Sequence, residues 1–351
     1  MPPPQPKPLQ SMQGPAPGQP PAAMAGGRPA RWSIKALLWA PHRMAFFLAM
    51  CVLLACSVWW FGTQVARQSW GLSLPLALSP SVTHAAVMSL GFFPMFFAGF
   101  LFTAGPKWLG VPAPEARRLL VPLGLQGAGW AAWLTGALWS EALARTGLLL
   151  ALLGLVAMYV RFGLLVRASP ANDRTHAQLA VGAGGVGVCA LAGAVACVWL
   201  GLPDMALLAI RTGLWGCVVA TYLLVSHRML PFFTASALPG LTPWRPRWVL
   251  WLLLGIAAAQ ALAPWVPLLA QGHWAGVRVP RAWMLAWGLT EVAAGSVVLW
   301  LAVTWGLVQS LKVRLLAMLH VGFAWFGLAL LLSGASQLLG LRHGVPLLGL
   351  G

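Results

Sequence analysis

Apolar runs of about twenty residues recur along the chain, separated by short stretches rich in Gly, Pro, Arg and Lys. A helix rises about 1.5 Å per residue, so a run of that length crosses the roughly 30 Å hydrocarbon core of a bilayer. Nine such runs are read, over residues 44–61, 82–104, 119–139, 146–166, 176–199, 205–226, 247–269, 282–308 and 313–338. The pattern predicts an all-α, polytopic transmembrane bundle of about nine spans. Beyond Arg342 and His343 another apolar run opens at Val345 and stops at Gly351. Too short to cross, residues 341–351 are expected to be an external tail or, preferably, the start of a truncated tenth helix.

One stretch stands out, from His84 to Trp108. In a regular helix His84, Met88, Gly91, Met95 and Ala98 share one face, which would stack an imidazole on a thioether. Pro94 removes a backbone donor and disturbs the carbonyl of Leu90, so a kink is expected in mid-span.

Composition strengthens the membrane reading. Only 8% of residues are charged and 60% are hydrophobic, against about 25% charged in soluble proteins. The period-two alternation of an outer-membrane barrel is missing. The net charge of +17 does not imply nucleic acid, because the basic residues sit in short connections rather than on one face. They report topology: the amino arm and the alternate connections on its side carry 16 Lys and Arg, and the opposite set carries 5. This asymmetry places the amino terminus in the cytoplasm. Residues 1–30, with ten Pro, are expected to be a disordered cytoplasmic arm that cannot bury enough apolar area to fold. All five Cys lie inside apolar runs without a C-x-x-C pair and read as small helix residues.

Candidate chemistry is confined to a few side chains. His42, His176, His227 and His320 fall at or near the predicted cytoplasmic side, whereas His84 opens the second span from the other side and His273 and His343 sit in external connections. Imidazole suits haem iron and copper, and thioether sulfur suits haem iron and Cu(I). The competing reading is that His near helix ends caps carbonyls or faces headgroups. No H-x-x-x-H or H-E-x-x-H spacing is present, so no single segment makes a metal site alone. Arg211 and Glu291 are the charges deepest in the apolar runs; unpaired in hydrocarbon each would cost several kcal/mol. They are expected to face protein or water and could pair. Arg211 is a candidate anion partner and Glu291 a candidate proton carrier. Nucleotide-loop, nucleophile-elbow and paired-carboxylate chemistries find no motif here.

Four stretches carry a resemblance. His84 to Gly110, Pro41-His-Arg-Met-Ala-Phe-Phe47, His227-Arg-Met-Leu-Pro-Phe-Phe-Thr234 and His320-Val-Gly-Phe-Ala-Trp-Phe326 together resemble the NnrS family of bacterial membrane proteins, over residues 41–340. The resemblance implies a multi-pass inner-membrane protein containing haem and copper, linked to denitrification and to protection against nitric oxide. Where many members have His-x-His-Glu-Met, this chain has His84-Ala85-Ala86-Val87-Met88. Members also continue through further helices. The leading expectation is therefore a haem-binding, copper-associated protein using His227, His320, His84 and Met88, with His42 and His176 as further ligands. Its partners would be the bilayer and nitric oxide or another small molecule. A permease for a small solute and a non-catalytic assembly factor are the rival classes.

Overall fold

The computed structural model describes residues 33–68, 76–238, 244–271 and 279–341. The Pro-rich arm, the residues around His273 and the run after Leu341 lie outside the described residues, and with them the expectations of a disordered arm and a truncated tenth helix.

Every predicted apolar run forms a helix: α1 (Pro41–Gln68), α2 (Pro80–Leu101), α3 (Leu120–Trp139), α4 (Glu141–Arg167), α5 (Thr175–Trp199), α6 (Pro203–Ala237), α7 (Arg247–Leu262), α8 (Arg281–Thr304) and α9 (Arg314–Gly340). The expected count of full spans is not matched. Among the described residues seven helices are long and apolar enough to cross a membrane: α1, α2, α4, α5, α6, α8 and α9. At 16 residues α7 reaches only about 24 Å; the chain breaks before Pro264 and turns into a short helix, Trp265–Gln271. Gln126 and repeated Gly and Trp dilute the apolar character of α3.

The helices pack around two cores. The first gathers α1 to α5 around Leu90, Trp130, Leu155 and Phe162; the second gathers α7 to α9 around Leu253, Val298 and Phe323. Helix α6 is their shared wall, giving Cys217 and Leu224 to the first and Leu223 and Leu230 to the second. Helices α3 and α4 form a hairpin, as do α8 and α9. Small residues bring the backbones together: a Cβ built on Gly147 would lie 2.6 Å from the Gly129 carbonyl oxygen, and one on Gly295 would lie 2.7 Å from that of Gly327. Such close approach is how apolar helices associate when lipid offers no hydrophobic drive.

Two helices depart from regular geometry in mid-course. Within α2 the residues Val87–Phe92 form a π-helical turn, and within α6 Leu214–Val219 do the same. The first sits just ahead of Pro94, where the missing N–H frees a carbonyl that a wider turn accommodates. A π-turn inserts a residue into the helical register, so the single face expected for His84 to Ala98 is not formed. Met95 and Ala98 are fully buried in the first core, while His84 and Met88 lie half-buried at its edge.

Candidate functional site

The four His expected on one side do lie at one end of the bundle, which is also rich in Arg. That end is tied together by Ser169 donating its hydroxyl to the Leu109 carbonyl at 2.6 Å, by the Arg228 guanidinium over the Trp108 ring at 4.8 Å, and by the Trp305 indole donating to the Trp244 carbonyl at 3.0 Å.

Two of the four meet. Asp173 accepts a hydrogen bond from the Thr175 backbone at 3.0 Å, closing a turn just ahead of α5, whose first turn carries His176. That backbone donor, then the Thr175 hydroxyl, and more weakly Arg247 hold the Asp173 carboxyl below its ordinary range. Across the interface His227 projects from α6, one residue before Arg228. The rings stack with centroids 5.4 Å apart, His176 Nε2 lies 3.1 Å from His227 Nδ1, and His227 Nε2 lies 3.2 Å from the Pro246 carbonyl.

The chemistry of these contacts fixes the tautomers when both rings are neutral. A carbonyl only accepts, so His227 carries its proton on Nε2 and offers a lone pair at Nδ1. His176 must then donate from Nε2. Its own lone pair is left on Nδ1, an atom that is buried and has no hydrogen-bond partner. An imidazole whose other nitrogen donates into a chain ending on a backbone carbonyl has the arrangement typical of metal-bound histidine.

His320 stands two helical turns along the same wall. Its Nε2 lies 2.8 Å from the Thr234 hydroxyl, seven residues after His227 on α6, and its Nδ1 is buried without a well-aligned hydrogen bond, beside the Ala302 backbone. Trp305 packs edge-on against His227 and tilted against Phe323, which stands three residues after His320 on α9. His42 stays apart, its Nδ1 3.4 Å from the Thr103 hydroxyl.

At the opposite end His84 stacks on Trp60, centroids 4.3 Å apart, with Nδ1 3.5 Å from Cys56 Sγ. Met88 makes its contacts with the apolar core. Glu291 and Arg211 form no ion pair. Glu291 instead accepts from Gln260 Nε2 at 2.7 Å and from Ser333 Oγ at 3.0 Å, so neutral donors satisfy the carboxylate. Sequence reasoning placed His176 low among the candidates, because its partner is 51 residues away and nothing local announces the pairing.

Among the described residues no three His, Cys, Asp or Glu side chains converge as an ion site. Copper held wholly by such protein ligands finds no cage there. Haem asks less, since the porphyrin supplies four nitrogens and the protein needs to add one imidazole. Two nitrogens 3.1 Å apart leave no room for a porphyrin plane between them, so this pair cannot clasp a haem as a sandwich.

No curated protein and no solved structure matches the chain. The family model described as NnrS protein matches residues 36–351, and with seven membrane-length helices the chain belongs to the NnrS family of multi-pass membrane proteins, a family associated with haem and copper and linked to nitric oxide and denitrification.

Proposed function

We propose that this protein protects against nitric oxide through a haem held at the arginine-rich end of the bundle, with His176 Nδ1 as the iron ligand and His227 positioning it. One observation carries the reading: the hydrogen-bond chain from Pro246 through His227 leaves a buried, unbonded imidazole lone pair on His176. Haem iron so held supplies a site that binds nitric oxide, a small apolar gas that enters through lipid. The chain's own residues do the rest. His227 makes the His176 ring more basic by accepting a hydrogen bond from its Nε2–H, and Asp173 holds the turn that leads into α5. Arg174, Arg228, Arg245 and Arg247 leave the surroundings cationic, which suits the carboxylates of a porphyrin. His320 is a second imidazole on the same wall, and His84 with Met88 belongs to a separate place. The charge asymmetry along the sequence orients the His176 end to the cytoplasm of a bacterial inner membrane.

Haem content tests this. Protein purified from haem-supplied cells should contain haem by pyridine haemochrome; His176→Ala should lose most of it, His227→Ala should retain part with a shifted spectrum, and His84→Ala should retain all. Equal haem in wild type and His176→Ala would overturn the assignment.

A further inference from the structure

The opposite half of the bundle holds a cavity that the haem reading does not use. It has a volume of about 530 Å³, lies between α2 and α6, is bordered by Pro264 and is open on one side. Its polar lining is Ser89, Asp204 and Arg211; the rest is apolar, with Leu207, Leu214 and Trp215 among it. Cavities of this size and character suit small organic ligands.

Arg211 is the unusual member. A guanidinium inside a span is costly and is normally matched by a carboxylate or by backbone. Here its Nε is buried and has no hydrogen-bond partner. The opposite charge it feels is Glu291, whose carboxylate already takes up Gln260 and Ser333. Asp204 does not compensate for this. It stands seven residues earlier on the same helix face, about 10 Å along the axis, exposed in the first turn of α6.

A second observation points to the same place. The π-turns of α2 and α6 pack against each other, and the cavity is lined from both: Ser89 comes from the first, Leu214 and Trp215 from the second. Such turns frequently re-aim side chains at ligand sites. The far wall is pinned by Trp265, whose indole donates to the Thr212 hydroxyl at 2.9 Å.

We propose that the cavity between α2 and α6 binds an amphiphilic organic monoanion, with its carboxylate or phosphate head on the Arg211 guanidinium and Ser89 hydroxyl and its apolar body against Leu214 and Trp215. The planar fork of Arg211 matches a two-oxygen head. Asp204 at the mouth repels a second negative charge and so selects monoanions. The same head chemistry comes from a soluble organic acid or from an anionic lipid, and the two are separable by experiment.

In a neutral maltoside detergent, benzoate binding is followed by calorimetry and phosphatidylglycerol retention by native mass spectrometry. Saturable binding of one or both is expected: benzoate alone assigns a soluble acid, phosphatidylglycerol alone a lipid. Arg211→Gln should weaken the bound species at least tenfold, and Ala85→Leu, which fills the cavity with the charge intact, should do the same. Folding of each variant is checked by size exclusion, and Ala85→Leu decides if Arg211→Gln fails to fold. Binding of neither probe, or equal binding by the variants, would overturn the proposal. Because the cavity lies away from His176, haem content should be unchanged in Ala85→Leu.

Discussion

At the residue scale the central object is one lone pair. The stacked His176 and His227 rings resemble a structural contact until their protons are assigned, and the carbonyl of Pro246 makes that assignment. His227→Asn tests the positioning role. Asn can still hydrogen-bond but makes a poorer acceptor for the imidazole, so ligand basicity falls; metal affinity should drop about 10–100-fold, the usual cost of losing such an outer partner, while the fold persists. Glu291 gives a second prediction. Glu291→Leu leaves the buried Gln260 amide and the half-buried Ser333 hydroxyl without their acceptor and should cost about 1–3 kcal/mol for the buried Gln260 donor, whereas Glu291→Gln keeps an acceptor oxygen and should cost less. Thermal midpoints of the detergent-solubilised protein separate the two.

Little of this was legible in the sequence. The His227, His320, His84 and Met88 motifs drew attention because they sit in recognisable stretches, yet the structure gives His84 to Trp60 and Cys56 and Met88 to the core. Pairings such as His176 with His227 or Thr234 with His320 arise between distant helices, and no periodicity within one helix encodes them. The depth of Arg211 and Glu291 was visible, because charge is conspicuous in an apolar run; that they do not pair was not.

At the scale of elements the apolar runs located α1 to α9 but not the short helices such as Ala104–Leu109, since length and hydropathy are properties of a long local segment. They did not give where α7 ends, which Pro264 decides, or the π-turns of α2 and α6, which depend on packing between the two helices. Hairpin packing offers a direct test. Gly295→Leu would drive a side chain into the Gly327 backbone and should cost at least the 1–3 kcal/mol typical of overpacking, seen as a lower melting midpoint or loss of the monodisperse peak. The turn ahead of α5 has a pH signature. The Asp173 carboxyl titrates below its ordinary range in the folded protein, so its contribution is present above the unfolded pKa and is lost as pH falls through the folded value. A melting profile should therefore decline on acidification in wild type, with a shallower acid decline in Asp173→Asn.

At the scale of the whole molecule, α6 joins two cores and contributes to both proposed sites, His227 at one end and Arg211 towards the other. The charge asymmetry predicts which end faces the cytoplasm. Alkaline phosphatase fused after Trp139, in the α3–α4 turn, should be active, and a fusion after Pro170 should be inactive; the reverse pattern would invert the orientation.

The most direct test of the account is optical titration of the haem-free protein with haemin. Wild type should saturate with a sharp Soret band. His176→Ala should give only the broad absorption of unligated haemin, and added imidazole should restore the band. A His176→Ala spectrum identical to wild type without imidazole would contradict the assignment of His176 as the iron ligand.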